Sequence, residues 1–102
     1  MYVLGVYVPV ADAEALKEAL FAAGAGNFGS YDCCCWETRG NGQFRPLSGS
    51  HPTLGKEGSI EKVEEIKLEM IVTEEKKDAV TKALKKAHPY EVPAYHFIPF
   101  VV

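Results

Sequence analysis

The chain has 102 residues, of which 47% are hydrophobic and 25% charged, and its formal net charge at pH 7 is -3. This length predicts one domain over residues 1–102. The acidic balance argues against a nucleic-acid or membrane-surface binder, because both need a basic surface. No apolar run reaches the roughly 20 residues of a spanning helix, and no signal-peptide pattern opens the chain. With three adjacent cysteines, which fit a reducing compartment, we expect a cytoplasmic protein.

The first 30 residues predict a strand followed by a helix. Residues 2–8 are apolar, β-branched and aromatic, which is typical of a central strand covered on both faces, and Pro9 ends it. Asp12 is placed to cap the helix that follows. The apolar stripe of this helix comprises Ala15, Leu16, Ala19, Leu20 and Ala23. Gly24 and Gly26 indicate where it ends.

The middle of the chain predicts a second strand and a long loop. Residues 31–38 have the composition of a strand. Residues 39–61 show no sustained period and are rich in glycine. Within them, residues 40–42 suggest a tight hairpin and residues 43–47 a short return strand. An irregular stretch of this length is uncommon in a small domain and usually has a function.

The last 40 residues predict a strand, a helix and a final strand. Residues 63–73 give the clearest strand signal, because charged residues alternate with Ile66, Leu68, Met70 and Val72. Thr73 is placed to cap a helix whose buried stripe comprises Ala79, Val80, Ala83, Leu84 and Ala87. Pro89 pushes His88 out of the helix, and residues 95–98 can then run as a strand.

The order of these elements is strand, helix, strand, long loop, strand, helix, strand. Two such βαβ halves predict an α+β, ferredoxin-like βαββαβ fold. In this fold a four-stranded antiparallel sheet carries both helices on one face, and the long loop joins strands 2 and 3.

Several motifs, spread over nearly the whole chain, resemble a known family. They are Tyr31-Asp32 before the Cys/Trp run, residues 42–47, residues 63–65, His88-Pro89-Tyr90-Glu91 and Pro93-Ala94-Tyr95. These motifs are similar to the insert domain of the NIF-three-like (YqfO-like) proteins and to its short stand-alone relatives. The resemblance implies a fold like that of CutA and the PII signalling proteins, which trimerise through their sheets. It does not imply the di-metal chemistry of the parent proteins, whose site lies in flanking domains.

The cysteines suggest a metal site. If residues 31–38 form a strand, Cys33 and Cys35 lie two residues apart on one face, where both thiolates can reach a soft ion such as Zn or Cu(I). His88 and His96 are the candidate remaining ligands, with His51 as a further option. The alternative is that the cysteines are small buried hydrophobes.

A binding site for a ligand or partner is predicted around the long loop. Gln43 and Arg45 flank Phe44, and an aromatic ring with adjacent donors suits a ligand or a neighbouring subunit. A packed loop anchor is the alternative. The full set of candidates for this site is Gln43, Phe44, Arg45, His51, His88 and Glu91.

The leading functional hypothesis is a non-enzymatic interaction or sensing module that forms a homo-oligomer, a trimer, and binds at subunit clefts. The second is a CutA-like metal-binding protein. The third is a hydrolase-type enzyme in which His88 and Glu91 act as an acid/base pair. Against the third stands a structural interpretation, in which His88 satisfies carbonyls at a helix end and Glu91 caps a turn.

Overall fold

A computed structural model of the chain describes residues 1–101. Its four strands are β1 (Tyr2–Pro9), β2 (Trp36–Phe44), β3 (Glu61–Val72) and β4 (Tyr95–Pro99). They form one antiparallel sheet in the order β2-β3-β1-β4. The two helices are α1 (Ala13–Ala22), between β1 and β2, and α2 (Lys77–Ala87), between β3 and β4. The predicted ferredoxin-like βαββαβ fold is confirmed.

The core lies between one face of the sheet and the helices. Period-two alternation turns the same face of β1 and β3 toward the helices, and the buried residues on it are Leu4, Val6, Val8, Ile66, Leu68, Met70 and Val72. The helices contribute Ala13, Leu16, Leu20, Val80 and Leu84. The sequence predicts that the buried stripes include Ala15, Ala79 and Ala87, but all three are exposed. The buried face of each helix is therefore narrower than predicted.

Both helices begin differently from the prediction. A 3-10 turn precedes each one, Val10–Asp12 before α1 and Glu74–Lys76 before α2. Neither Asp12 nor Thr73 makes a side-chain capping bond. The tighter turn supplies i to i+3 backbone bonds instead, so the side chains are not needed to satisfy the first donors.

The prediction of a strand over residues 31–38 is wrong for its first five residues. β2 begins only at Trp36, and Cys33 adopts a left-handed conformation with φ of 54°. The reason lies at the end of β3, where the Gly26 N–H donates to the Ile71 carbonyl at 2.8 Å. An extension of β2 would need that acceptor. The Cys34 N–H donates instead to the Gly26 carbonyl, at 2.9 Å.

The hairpin predicted at residues 40–42 and the return strand at 43–47 are also wrong. β2 runs through these glycines as far as Phe44, with Gly40 opposite Glu65 and Gly42 opposite Val63. A side chain at Gly42 would overlap the Glu65 carboxylate, so this glycine permits a close approach and does not make a turn. The connection between β2 and β3 is residues 45–60, which is the predicted long loop in a shorter form.

The second face of the sheet is not covered within one chain, so the prediction that both faces of β1 are covered is wrong for a single chain. The strand register places Val3, Tyr7, Trp36, Lys67, Glu69, Ile71, His96 and Ile98 on it, and we call this the open sheet face. Tyr7, Trp36 and Ile98 are exposed there. Lys67 pairs with Glu69 at 3.0 Å and lies 5.8 Å from the centre of the Tyr7 ring.

Candidate functional site

The corner after α2 is organised around His88. This residue is only 6% exposed, and its extended backbone ends the helix before Pro89. His88 Nε2 lies 2.7 Å from the Tyr7 carbonyl oxygen, and Nδ1 accepts from the Tyr90 N–H at 3.0 Å. Since a carbonyl can only accept, Nε2 carries the proton and the imidazole is neutral. Neither nitrogen has a lone pair free to bind a metal ion while both bonds persist.

The long loop is attached to this corner by two hydrogen bonds. The His51 backbone N–H donates to Glu91 Oε2 at 3.1 Å, and Thr53 Oγ1 donates to the Pro89 carbonyl at 2.6 Å. These bonds join residues that are 40 and 36 positions apart in the chain. They place the loop against the end of β2 and across the corner.

A cavity of about 490 Å³ lies between the loop and the corner, and we call it the Tyr90 cleft. Its aromatic walls are Tyr7, Phe44 and Tyr90. The Phe44 and Tyr90 rings meet edge to face, with their centroids 5.8 Å apart. The other apolar lining residues are Pro46, Leu47, Pro52, Leu54, Val92 and Ala94. This volume is in the range of small-molecule sites.

Two polar groups meet at the inner end of the Tyr90 cleft. The Tyr90 hydroxyl is screened from solvent and makes no hydrogen bond within residues 1–101. The Glu65 carboxylate, packed against Gly42, lies beside it. Burial, followed by the charge of Glu65 and a side-chain interaction of the hydroxyl with that carboxylate, raises the pKa of Tyr90 to about 12. A buried donor without a partner is uncommon and points to a functional or strained position.

The structure brings the six predicted loop-site residues together. Gln43, Phe44, Arg45 and Glu91 line the Tyr90 cleft directly. His51 and His88 lie behind the lining, each joined to it by a backbone hydrogen bond. His88 and Glu91 therefore support the corner and the loop. Among residues 1–101 no hydrogen bond joins them as an acid/base pair would require.

Sequence reasoning missed Tyr7, Glu65 and Tyr90 as lining residues. Glu65 lies on the polar side of the β3 alternation, which the sequence assigns to water or a partner. Its position in the cleft follows from pairing with Gly40, which the predicted hairpin excluded. The signal that could have found it is the spacing of Gly40 and Gly42 at period two, which fits one face of a strand as well as it fits a turn.

The four predicted metal ligands lie in three places. Cys33 and Cys35 line a shallow hollow between α1 and β2, formed with Glu14, Lys17, Phe21, Trp36 and Glu37, which we call the Trp36 hollow. His88 is in the corner, and His96 lies on the open sheet face. No three His, Cys, Asp or Glu side chains of residues 1–101 are grouped closely enough to hold a metal. Burial also raises the pKa of the Cys35 thiol, which disfavours the thiolate that binds metals.

The described chain has no helix of the length and apolar character needed to cross a membrane.

Comparison with known proteins relates the chain to two groups. A model of the family described as CutA1 divalent ion tolerance protein matches residues 54–101. A protein named GTP cyclohydrolase 1 type 2 homolog, from Halalkalibacterium halodurans, is 46% identical over 99 residues, which are 97% of this chain and 27% of that protein. The chain thus spans about a quarter of the length of the curated relatives that it matches.

Solved structures from both groups are similar to this chain. A Bacillus cereus protein related to NIF3 superimposes with a TM-score of 0.83 and 38% identity, over 97% of this chain and 25% of that one. The periplasmic divalent cation tolerance protein CutA from Archaeoglobus fulgidus gives a TM-score of 0.68 and 21% identity, over 97% of this chain and 82% of that one. The second likeness shows a shared fold alone.

Proposed function

The chain is a relative of a domain of the NIF3-related proteins and has the CutA/PII-like fold, and from this premise we propose that it is a non-enzymatic interaction or sensing module whose binding site is the Tyr90 cleft. One observation carries the proposal. The long loop is fastened to the corner so that the two enclose a cavity with aromatic walls and an unpartnered buried hydroxyl.

The composition of the Tyr90 cleft supports binding. Small-molecule sites are mostly apolar, with a few polar groups that fix the orientation of the ligand. Here the three aromatic rings provide apolar area, and Glu65, Gln43 and Arg45 provide polar contacts. Within residues 1–101, the loop that forms one wall is attached to the corner by two hydrogen bonds that involve side chains, so it can adjust to a ligand or a partner.

We also propose that the chain assembles as a homo-oligomer, a trimer, through the open sheet face. Exposed Tyr7, Trp36 and Ile98 on that face are apolar area that a second copy would bury. Tyr7 lines the Tyr90 cleft and also lies on the open sheet face. A neighbouring subunit bound to this face would therefore lie next to the edge of the cleft. The three free cysteines suit a reducing compartment such as the cytoplasm.

Metal binding is the second candidate, favoured by one observation, that Cys33 and Cys35 line the same hollow. A second chain would have to supply further ligands. Native mass spectrometry of the purified protein would show a stoichiometric metal, and Cys33→Ser would remove it. An enzyme that uses His88 and Glu91 is the third candidate and has the least support, because the His88 nitrogens and a Glu91 oxygen are engaged in structural bonds.

The proposal is tested by NMR titration of the ¹⁵N-labelled protein with a panel of anionic, neutral and cationic aromatic fragments. We expect at least one fragment to shift the amide signals of Phe44, Glu65 and Tyr90. Phe44→Ala should abolish these shifts because it removes one aromatic wall. Phe28→Ala is the matched control, since Phe28 is an exposed aromatic outside the cleft. A panel that leaves the cleft signals unmoved would refute the proposal.

A further inference from the structure

Of the charged side chains that line the Tyr90 cleft, some already have a partner within the protein and others do not. Glu91 already accepts the His51 N–H through Oε2. Glu65 is half-buried and takes part in none of the ion pairs found within residues 1–101. Arg45 is the one cationic side chain among the described lining residues, and it is exposed and unpaired with Glu65. Lys67, on the same face of β3, pairs with Glu69, so the Glu65 carboxylate at the cleft wall forms no ion pair within the described residues.

The surroundings of Glu65 strengthen its attraction for a cation. The neighbouring Tyr90 hydroxyl is screened from water, and the Glu65 side chain is itself half-buried. Charges interact more strongly where water is excluded, because the effective dielectric constant is lower. A partly buried carboxylate gains most from a donor that is itself charged, and such bonds are about twice as strong as neutral ones.

The aromatic walls favour the same kind of ligand. Tyr7, Phe44 and Tyr90 line the same cavity as Glu65. The face of an aromatic ring attracts a nearby cation, and the same ring packs against an apolar body. The cleft volume of about 490 Å³ fits a compact molecule better than a folded partner.

We propose that the Tyr90 cleft selects a small organic cation, a protonated amine, amidine or guanidine on an apolar or aromatic body, whose charged nitrogen pairs with Glu65. This inference rests on the proposed function and names the class of ligand. A cleft that binds phosphate or carboxylate groups would instead use Arg45 to hold the ligand.

The test compares three probes of similar size and different charge on the wild-type protein. They are benzamidine as the cation, benzyl alcohol as the neutral probe and benzoate as the anion. Isothermal titration and NMR shifts at Tyr90 give the affinity and the location of each. We expect benzamidine to bind in the cleft at least about tenfold more tightly than the other two.

Variants then assign the selectivity to one carboxylate. Glu65→Gln should lower the affinity for benzamidine by at least about tenfold and leave the affinity for benzyl alcohol unchanged. Glu64→Gln is the matched control, since it removes the neighbouring charge on the other face of β3, outside the cleft. Glu65→Asp keeps the charge and should retain part of the preference. The comparison of probes on the wild-type protein does not depend on the folding of any variant.

The outcomes separate this inference from the proposed function. Tighter binding of benzoate or benzyl alcohol in the cleft, or equal binding of benzamidine to the wild type and Glu65→Gln, would overturn the cation selectivity and leave the binding function intact. If none of the three probes nor any fragment of the panel enters the cleft, both proposals are wrong.

Discussion

The Nε2 atom of His88 lies 2.7 Å from the carbonyl oxygen of Tyr7, a hydrogen bond between residues 81 positions apart. It connects the end of α2 to the central strand β1. The opposite ring nitrogen accepts from Tyr90, so one imidazole sets the position of the residue that forms the inner wall of the cleft. The cleft therefore depends on a histidine that a ligand does not have to touch.

Replacing His88 should destabilise the protein. His88→Ala leaves the Tyr7 carbonyl and the Tyr90 N–H without their partner in a buried setting. We expect the free energy of unfolding to fall by about 3 kcal/mol, measured by urea denaturation. His51→Ala is the control, because His51 is exposed and uses its backbone N–H rather than its ring. Equal effects of the two substitutions would contradict a structural role for His88.

The Tyr90 hydroxyl should make stability fall at high pH. Its pKa rises from 10.0 in the unfolded chain to about 12 in the folded protein. Between these values the unfolded chain has lost the proton that the folded protein still holds, so the free energy of unfolding decreases as pH rises. Tyr90→Phe removes this group. The free energy of unfolding of the wild type minus that of Tyr90→Phe, followed by urea denaturation from pH 9 to pH 12, should therefore fall steadily as pH rises. A difference that stays constant or rises over this range would contradict the raised pKa.

Tyr90→Phe also tests whether the hydroxyl lacks a partner. At neutral pH, removal of an unsatisfied buried hydroxyl should leave the free energy of unfolding unchanged or raise it by about 1 kcal/mol. Thermal unfolding without ligand gives the answer. Tyr95→Phe is a control for the loss of a tyrosine hydroxyl elsewhere. A loss of stability specific to Tyr90→Phe would mean that the hydroxyl is hydrogen-bonded in the free protein.

Gly26 should tolerate a side chain poorly. Its φ of 79° is in the left-handed region, and a Cβ there would lie 3.0 Å from the Cys34 carbonyl oxygen and 2.9 Å from the Phe21 ring. We expect Gly26→Ala to cost about 3 kcal/mol in chemical denaturation. Gly29→Ala shares the positive φ but has open space around its Cβ, so it should cost only about 1 kcal/mol. Equal costs would show that the contacts of Gly26 are unimportant.

A charge on the open sheet face should disrupt the proposed homo-oligomer. Ile98 is 54% exposed on that face, and Ile98→Glu would place a carboxylate in the buried interface. Sedimentation velocity should show a fall from an oligomer to a single chain, with an unchanged circular dichroism spectrum. Ile60→Glu is the control, because Ile60 has a similar exposure of 57% and lies outside the face. A wild-type protein that sediments as a monomer would refute this assembly.

The sequence predicted the fold where side chains repeat with a clear period. The alternation from Ile66 to Val72 identified β3 correctly, and the proline after His88 identified the end of α2. The errors occurred where backbone bonds decided the structure. A donor from Gly26 occupies the Ile71 carbonyl, so β2 begins only after the cysteines, and Gly42 permits the close approach of Glu65. The donor from Gly26 leaves no period in the sequence, and the period-two spacing of Gly40 and Gly42 fits a turn as well as a strand.

The sequence predicted the part of the candidate site that depends on local composition and missed the part that depends on contacts between distant residues. The aromatic Phe44 and its flanking donors stood out because their composition is unusual for a loop. The roles of Tyr90 and Glu65 depend on the strand register and on the folding of the loop across the corner, which join residues far apart in the chain. The shared face of Cys33 and Cys35 was inferred from a strand that does not form there, and the two residues are neighbours instead because both line the Trp36 hollow.

The central claim is that the Tyr90 cleft is the binding site of this domain. The most direct measurement is the set of nuclear Overhauser effects between a bound aromatic fragment and the side-chain protons of the protein. The account predicts contacts to the rings of Phe44 and Tyr90. Contacts only to Trp36 and Phe21 would place the ligand in the Trp36 hollow and would contradict the claim.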